Sequence, residues 1–306
     1  MPQYQRTLKS AIELYGLEPF GKKPIKIIIN PAVPNTGRVF RTLGTEIPAT
    51  LEYVEPIKGL VKLLSLKKDN RRIFVPEHLL GELFGYEIDN AIIELETIPS
   101  LSYKLLKNFG SAKNTEVVPY FGTRLCELLE NNIKEQNATR KLLRLEEKIK
   151  TPKLIFEPIE RSDLVIKVIT DYKLAKGKRI AQERDLVISP ELTKEISIAR
   201  NYCSTPLWAP KLLTKSIGYL LFLSHGFSYG IDESNTFYPQ KTPEAWRAQE
   251  LMEAEVACHS ILDKLGEVSL LPRRLTGIKI TSTGAGHKYT IEMLKDNAGK
   301  FKEVQE

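Results

Sequence analysis

Apolar and polar positions along the chain switch between short runs that suit strands and longer stretches with helical spacing. The first part reads as short strands joined by turns: "PIKIII" from Pro24, the turn-rich "NPAVPNTGRVF" from Asn30, and "ATLEYVE" from Ala49. A helix is predicted from about Pro76, because proline suits a first helical turn and Leu79, Leu80, Leu83 and Phe84 then recur on one face. "NAIIELE", Asn90 to Glu96, reads as a buried strand. A second helix is predicted from Gly122 to about Lys134, with Leu125, Leu128 and Leu129 inward.

The segment "NNIKEQNATRKLLRLEEKIK", Asn131 to Lys150, is rich in charged and amide side chains and resets the apolar pattern. A domain boundary is therefore expected near residue 150, dividing the chain into 1–150 and 151–306. Beyond it come a strand, "DLVIKVITDY" from Asp163, and a helix, "SPELTKEISIAR", with Ser189 as its cap. A long helix is predicted from Pro243 to about Leu265, with a Thr-Pro start, early acidic residues and a glycine stop. The strand "LTGIKITST" and the helix "GHKYTIEMLKD" follow. The apolar stretch Leu207 to Gly230 reads either as an ordinary strand pair or as an insertion lining a greasy channel. No residue-level repeat, Walker-type phosphate loop or paired-glycine dinucleotide fingerprint is present.

A length of 306 residues suits two modest domains, and 42% hydrophobic with 27% charged residues places the chain among globular proteins. No apolar run has the length of a membrane-spanning helix, and the N-terminus lacks the apolar core of a secretory signal, so a cytoplasmic protein is expected. Cys126, Cys203 and Cys258 are too few and too irregularly spaced for a disulfide framework or a four-cysteine zinc site; they read as small buried residues. Lys plus Arg outnumber Asp plus Glu by 45 to 38. That excess favours a phosphorylated ligand or peripheral contact with an anionic membrane surface. It is spread out and carries no interleaved basic and aromatic platform, so no nucleic-acid partner is expected.

Only four histidines occur: His78, His225, His259 and His287. His259 and Asp263 are four apart on the best helix, so both side chains project from one face and can converge on one ion. Glu77 and His78 start a helix, where the glutamate also suits the helix dipole. His287 follows the small-residue turn "STGAG", which can present a side chain at a helix start. Each feature alone has an ordinary reading as a cap, a solvated pair or a satisfied core residue. Together they match metal-assisted hydrolysis: ligands that leave room for water, a carboxylate as general base and an imidazole as acid.

These residues sit in blocks that resemble the zinc-dependent UDP-3-O-acyl-N-acetylglucosamine deacetylases, which carry out the committed step of lipid A synthesis in Gram-negative bacteria. The blocks are "QRTLKSAIELYG", "NPAVPNTGRVFR", "EHLLGELFGYEIDNAIIELE", "KEISIARNYC", "EVACHSILDKLGEVSLL" and "GAGHKYTIEML", in family order over nearly the full chain. The resemblance implies an α+β fold of two layered sandwich domains, with the helices of both packed between outer β-sheets and the active site between them. It implies zinc on His78, His259 and Asp263, Glu77 as general base and His287 as general acid. Ferrous iron suits the same ligands. The implied substrate is a UDP-linked, 3-O-acylated N-acetylglucosamine or a related N-acetyl aminosugar, and a monomer is expected.

Several positions depart from the family. Ser260 stands where Lys usually follows the second histidine ligand, and Asn201-Tyr202 replaces a Thr-Phe pair that touches the substrate. Asn still donates a hydrogen bond and Tyr still stacks, so substrate recognition is expected to be retuned there. The early His of the Gly-Leu-His turn is missing from "GLEPFGKKP", and the Asp-Gly-Ser-Ala block is reduced to "PYFGT" after an insertion near 98–115. Leu207–Gly230 falls where the family carries an insertion forming an acyl-chain passage, with plain core as the competing reading. His225 has no motif counterpart and reads as structural. A second class of reading, a catalytically silent metal-binding paralogue that holds a nucleotide sugar or lipid precursor and regulates the pathway, is motivated by these departures.

Overall fold

The computed structural model describes residues 4–17, 24–55, 63–97, 115–118, 121–173, 179–199, 201–202, 236–237 and 254–305. Two five-stranded sheets frame it. In the first, strands Ile12–Leu17, Pro24–Pro31, Ala91–Thr97, Arg38–Thr42 and Thr45–Pro48 lie side by side in that order. In the second the order is Ile149–Lys150, Leu154–Pro158, Ile278–Thr283, Leu164–Lys173 and Arg179–Val187. Both run antiparallel, antiparallel, parallel, antiparallel from edge to edge. The two halves thus repeat one topology that no residue-level repeat betrays, since alternation of period two specifies a strand's buried face and not its residues.

Each sheet turns one apolar face inward. Ile25, Ile27, Ile29, Ala91, Ile93 and Leu95 build one core, and Leu164, Ile166, Val168, Ile278 and Ile280 another. Full burial of each Leu or Ile stabilises by roughly 1.5–3 kcal/mol. Five α-helices occur among the described residues: α1 (Glu77–Gly85), α2 (Thr123–Glu130), α3 (Pro190–Ser197), α4 (Glu255–Val268) and α5 (His287–Asp296). They pack on one another, α1 on α4, α3 on α1, α2 and α4, and α5 on α4, and with the sheets make an α+β fold. Leu79, Leu80 and Leu83 of α1 join the first core, whereas Phe84 and most of α4 join the second, so the α1–α4 contact is the seam between them. None of the described helices is long and apolar enough to cross a membrane.

That seam is unusually close because of glycine. A Cβ on Gly81 would lie 2.9 Å from the Leu262 carbonyl oxygen, and one on Gly266 would lie 2.1 Å from that of Glu77. Gly266 is therefore not the helix stop expected from the sequence. It lies inside α4, which continues to Val268, and it admits the backbone of α1.

Other local expectations shift for identifiable reasons. "ATLEYVE" forms no strand: residues Leu51–Tyr53 make a 3₁₀ turn, fixed by the Leu51 amide donating to the Leu270 carbonyl, and only Val54 bridges to Leu66. α2 ends at Glu130, four residues early, because Ile133–Thr139 is taken up as a strand against Tyr4–Leu8. The chain then crosses over, and Leu142–Leu145 pairs with Arg274–Leu275 and a final strand, Phe301–Val304. α3 carries the expected cap, with Ser189 Oγ accepting from the Leu192 amide. Of the predicted helix 243–265, residues 243–253 lie outside the described residues, as do Leu207–Gly230, Cys203 and His225. Cys126 and Cys258 are buried and unbonded to each other.

Candidate active site

Three helices deliver the site. Glu77 and His78 are the first two residues of α1, His259 and Asp263 are one turn apart on α4, and His287 opens α5 after the Gly284–Gly286 turn. Gly284 has φ +60°, a conformation that favours glycine. α1 and α4 both begin just after residues with a left-handed backbone, Val75 (φ +57°) and Ala254 (φ +55°). Such a conformation at a β-branched valine costs about 1–3 kcal/mol, and it is sustained beside the two catalytic candidates on α1.

The ligand atoms of His78, His259 and Asp263 all lie within 4.8 Å of one another. His78 Nε2 is 3.1 Å and His259 Nε2 3.7 Å from Asp263 Oδ1, and the two imidazole rings meet edge-on with centroids 4.8 Å apart. Ligand bonds of 2.0–2.2 Å in tetrahedral geometry separate ligand atoms by about 3.3–3.6 Å. The observed distances bracket that range, so the cluster fits a single divalent ion. Orientation is built in as well. His259 Nδ1 donates to the Ala199 carbonyl at 3.0 Å, which leaves the Nε2 lone pair facing Asp263. Burial lowers the pKa of His78, keeping it neutral as a ligand must be.

Glu77 is 2% exposed, with Oε1 3.6 Å from His287 Nε2 and Oε2 buried without a hydrogen-bond partner among the described residues. Burial, with the Asp263 charge adding to it and His287 opposing, raises its pKa to about 7. Asp263 goes the other way: burial opposes its charge, but His259, His287 and the His78 hydrogen bond outweigh burial and hold it well below the usual carboxylate range. Burial likewise opposes protonation of His287, yet Asp263, the hydrogen bond to Glu267 and the charge of Glu77 lift its pKa to about 9. A carboxylate poised near neutrality thus faces a protonated imidazole across one small space.

One functional pair was not singled out by the sequence reading. Glu267 Oε1 accepts from His287 Nδ1 at 2.7 Å, and Lys264 Nζ donates to both Glu267 oxygens at 2.8 and 2.9 Å, with neither residue more than 1% exposed. Its signal was the continuation of the four-residue spacing, His259, Asp263, Glu267, along one face of α4. The expected substrate-side residues are placed in part. Ser260 follows His259, but its hydroxyl donates back to the Val256 carbonyl at 3.0 Å. Asn201–Tyr202 forms a short strand parallel to Thr236–Phe237, against α4.

The family model of the UDP-3-O-acyl N-acetylglycosamine deacetylases matches residues 5–297. Among curated relatives, the UDP-3-O-acyl-N-acetylglucosamine deacetylase of Helicobacter pylori strain 26695 is 27% identical, over 95% of this chain and 90% of its own length. That of Coxiella burnetii strain Dugway is 26% identical over 95% and 89%, and that of Pseudoalteromonas translucida 24% over 95% and 89%. A match of this extent to the family model leaves one assignment: the chain belongs to the UDP-3-O-acyl N-acetylglycosamine deacetylase family.

Proposed function

We propose that this protein is a zinc-dependent amide hydrolase that releases acetate from a UDP-linked, 3-O-acylated N-acetylglucosamine. The observation that carries the proposal is the convergence of Glu77, His78, His259, Asp263 and His287, from three helices, on one buried space. Two imidazoles and a carboxylate would hold zinc, and the same donors accept ferrous iron. The ion, when bound, supplies Lewis acidity that polarises a carbonyl and acidifies water. Glu77 takes a proton from the attacking water as its oxygen bonds to the acetamide carbon. The His287 imidazolium donates a hydrogen bond to the developing oxyanion and then passes its proton to the sugar nitrogen as the C–N bond breaks. Acetate and the free amine result, and Glu267 holds His287 by its Nδ1–H throughout.

Membership of the family supports the substrate class. Ser260, Asn201 and Tyr202 are proposed to contact the substrate, a reading that rests on the resemblance of their positions. We also read the chain as two domains, a division favoured by the separate cores, with the expected boundary at 150 moved to about 140, because Leu143, Leu145 and Ile149 pack in the second core and Ile149–Lys150 joins the second sheet. The test is acetate release from UDP-3-O-acyl-N-acetylglucosamine by the purified protein and by Glu77→Ala. Turnover by the former and none by the latter is expected. Retained metal with no acetate from any N-acetyl sugar would instead establish a silent binding paralogue.

A further inference from the structure

At the far end of α1, about 10 Å along the helix axis from Glu77, a cavity of about 90 Å³ opens between the strand edge at Gly37–Arg38, the α1 terminus and the segment after α4. Arg38, Arg140, Lys141, Arg273 and Arg274 all line it, and Asp89 is the one carboxylate that does. Four of the cations are already matched or shared: Arg140 by Glu87 and Asp89, Arg274 by Glu87, and Lys141 and Arg273 by Glu303. Arg38 is different. Among the described residues its Nη atoms donate to the carbonyls of Ser269 and Ile88 alone, and its Nε is buried with no acceptor. Arg38 and Arg274 also share one aromatic ring, with guanidinium carbons 5.9 and 4.4 Å from the Phe84 centroid.

Two like charges held on one phenyl ring, one of them without a carboxylate, call for an anion between them. Burial, opposed by Asp89 and reinforced by Arg274, lowers the Arg38 pKa to about 10, as expected of a cation short of countercharge. The volume selects the class of anion. About 90 Å³ is several times the roughly 10–15 Å³ that one water needs, yet far below the roughly 300 Å³ at which sites for drug-sized ligands begin. Guanidinium forks match the oxygens of a tetrahedral oxyanion better than they match chloride. We propose that this cavity is a binding site for a single phosphate group, either free inorganic phosphate or the monoester of a small molecule, held between Arg38 and Arg274. The site is separate from the catalytic cluster and does not depend on the deacetylase reading.

Isothermal titration of the full chain at constant ionic strength, with inorganic phosphate in one arm and glycerol 3-phosphate in the other, tests it. At least one should bind with one equivalent per chain, and the tighter of the two identifies the source. Arg38→Met, which keeps an apolar stem over Phe84, should weaken binding at least about tenfold, and the rim variant Arg273→Ala about threefold. Arg273→Ala decides the matter should Arg38→Met not fold. The proposal fails if neither compound binds, if Arg38→Met or Arg273→Ala binds as the wild type does, or if binding disappears in His78→Ala, which would place the anion in the catalytic cluster.

Discussion

Replacing Gly266 with alanine sets two effects of opposite sign against each other. In an isolated helix the change stabilises by about 1 kcal/mol, because alanine loses less backbone entropy than glycine. Here the new methyl would sit 2.1 Å from the Glu77 carbonyl oxygen and 2.6 Å from its carbonyl carbon and Cα. These are backbone atoms at the start of α1, so no rotamer change relieves the overlap. The helices must separate by about 0.9 Å to restore the 3.0 Å that such contacts tolerate. Overpacking of this kind costs roughly 1–3 kcal/mol, and with backbone on the opposing side the upper part of that range applies. A net loss of about 1–2 kcal/mol is expected, or about 2–8 °C in Tm by calorimetry. The same displacement carries Glu77 and His78 away from His259 and Asp263. A misplacement of about 1 Å in a catalytic constellation costs on the order of 10²-fold in rate, so kcat should fall far more than stability does. Gly299→Ala, where the added methyl meets nothing within 4 Å, is the control. A Gly266→Ala protein with the Tm and kcat of the control would refute the view that glycine at the seam sets the geometry of the site.

Other consequences can be checked in the same way. The rate should rise with pH as Glu77 loses its proton around pH 7 and fall as His287 loses its proton near pH 9, giving a bell in the kcat profile. Glu267→Gln removes a carboxylate that raises the His287 pKa, so the alkaline limb should move to lower pH, and it strands the buried Lys264 charge at a cost of roughly 3–5 kcal/mol. Lys264→Met combined with Glu267→Gln should recover much of that stability while leaving the limb shifted, as measured by denaturant unfolding and pH–rate profiles. In the metal-free protein the folded-state pKa of Glu77 stands above its ordinary 4.5. Its ionisation therefore opposes folding progressively from about pH 4.5 to 7 and by a constant amount above. Glu77→Gln should raise metal-free stability at pH 8 by up to about 3 kcal/mol and leave it unchanged near pH 4.

Much of the site was legible before the fold because its residue types are scarce. Four histidines in 306 residues made the company of His78, His259 and His287 informative, and the four-residue step from His259 to Asp263 already placed both on one helix face. Strands such as Pro24–Pro31 and Ala91–Thr97 were legible because one face is fully buried: Ile25, Ile27 and Ile29, and Ala91, Ile93 and Leu95, recur at every second position. Edges were not. "IKEQNAT" pairs, among the described residues, with Tyr4–Leu8 alone and leaves most of its side chains in contact with water, so no apolar period marks it. Gly266 was misread because a glycine near a helix end satisfies the stop rule whether it ends the helix or admits a neighbour. Only the position of Glu77 tells the two apart. Glu267 and Lys264 were passed over because a buried ion pair looks, in sequence, like any charged turn of an exposed helix.

The proposed hydrolysis requires a metal held jointly by the start of α1 and the middle of α4. Titrating zinc into chelator-stripped protein while recording acetate release from UDP-3-O-acyl-N-acetylglucosamine tests it most directly. Activity should climb from near zero in proportion to added zinc and break at one equivalent per chain, and His78→Ala should show neither the climb nor the break. Undiminished turnover by the stripped protein, or a wild-type titration curve from His78→Ala, would contradict the claim.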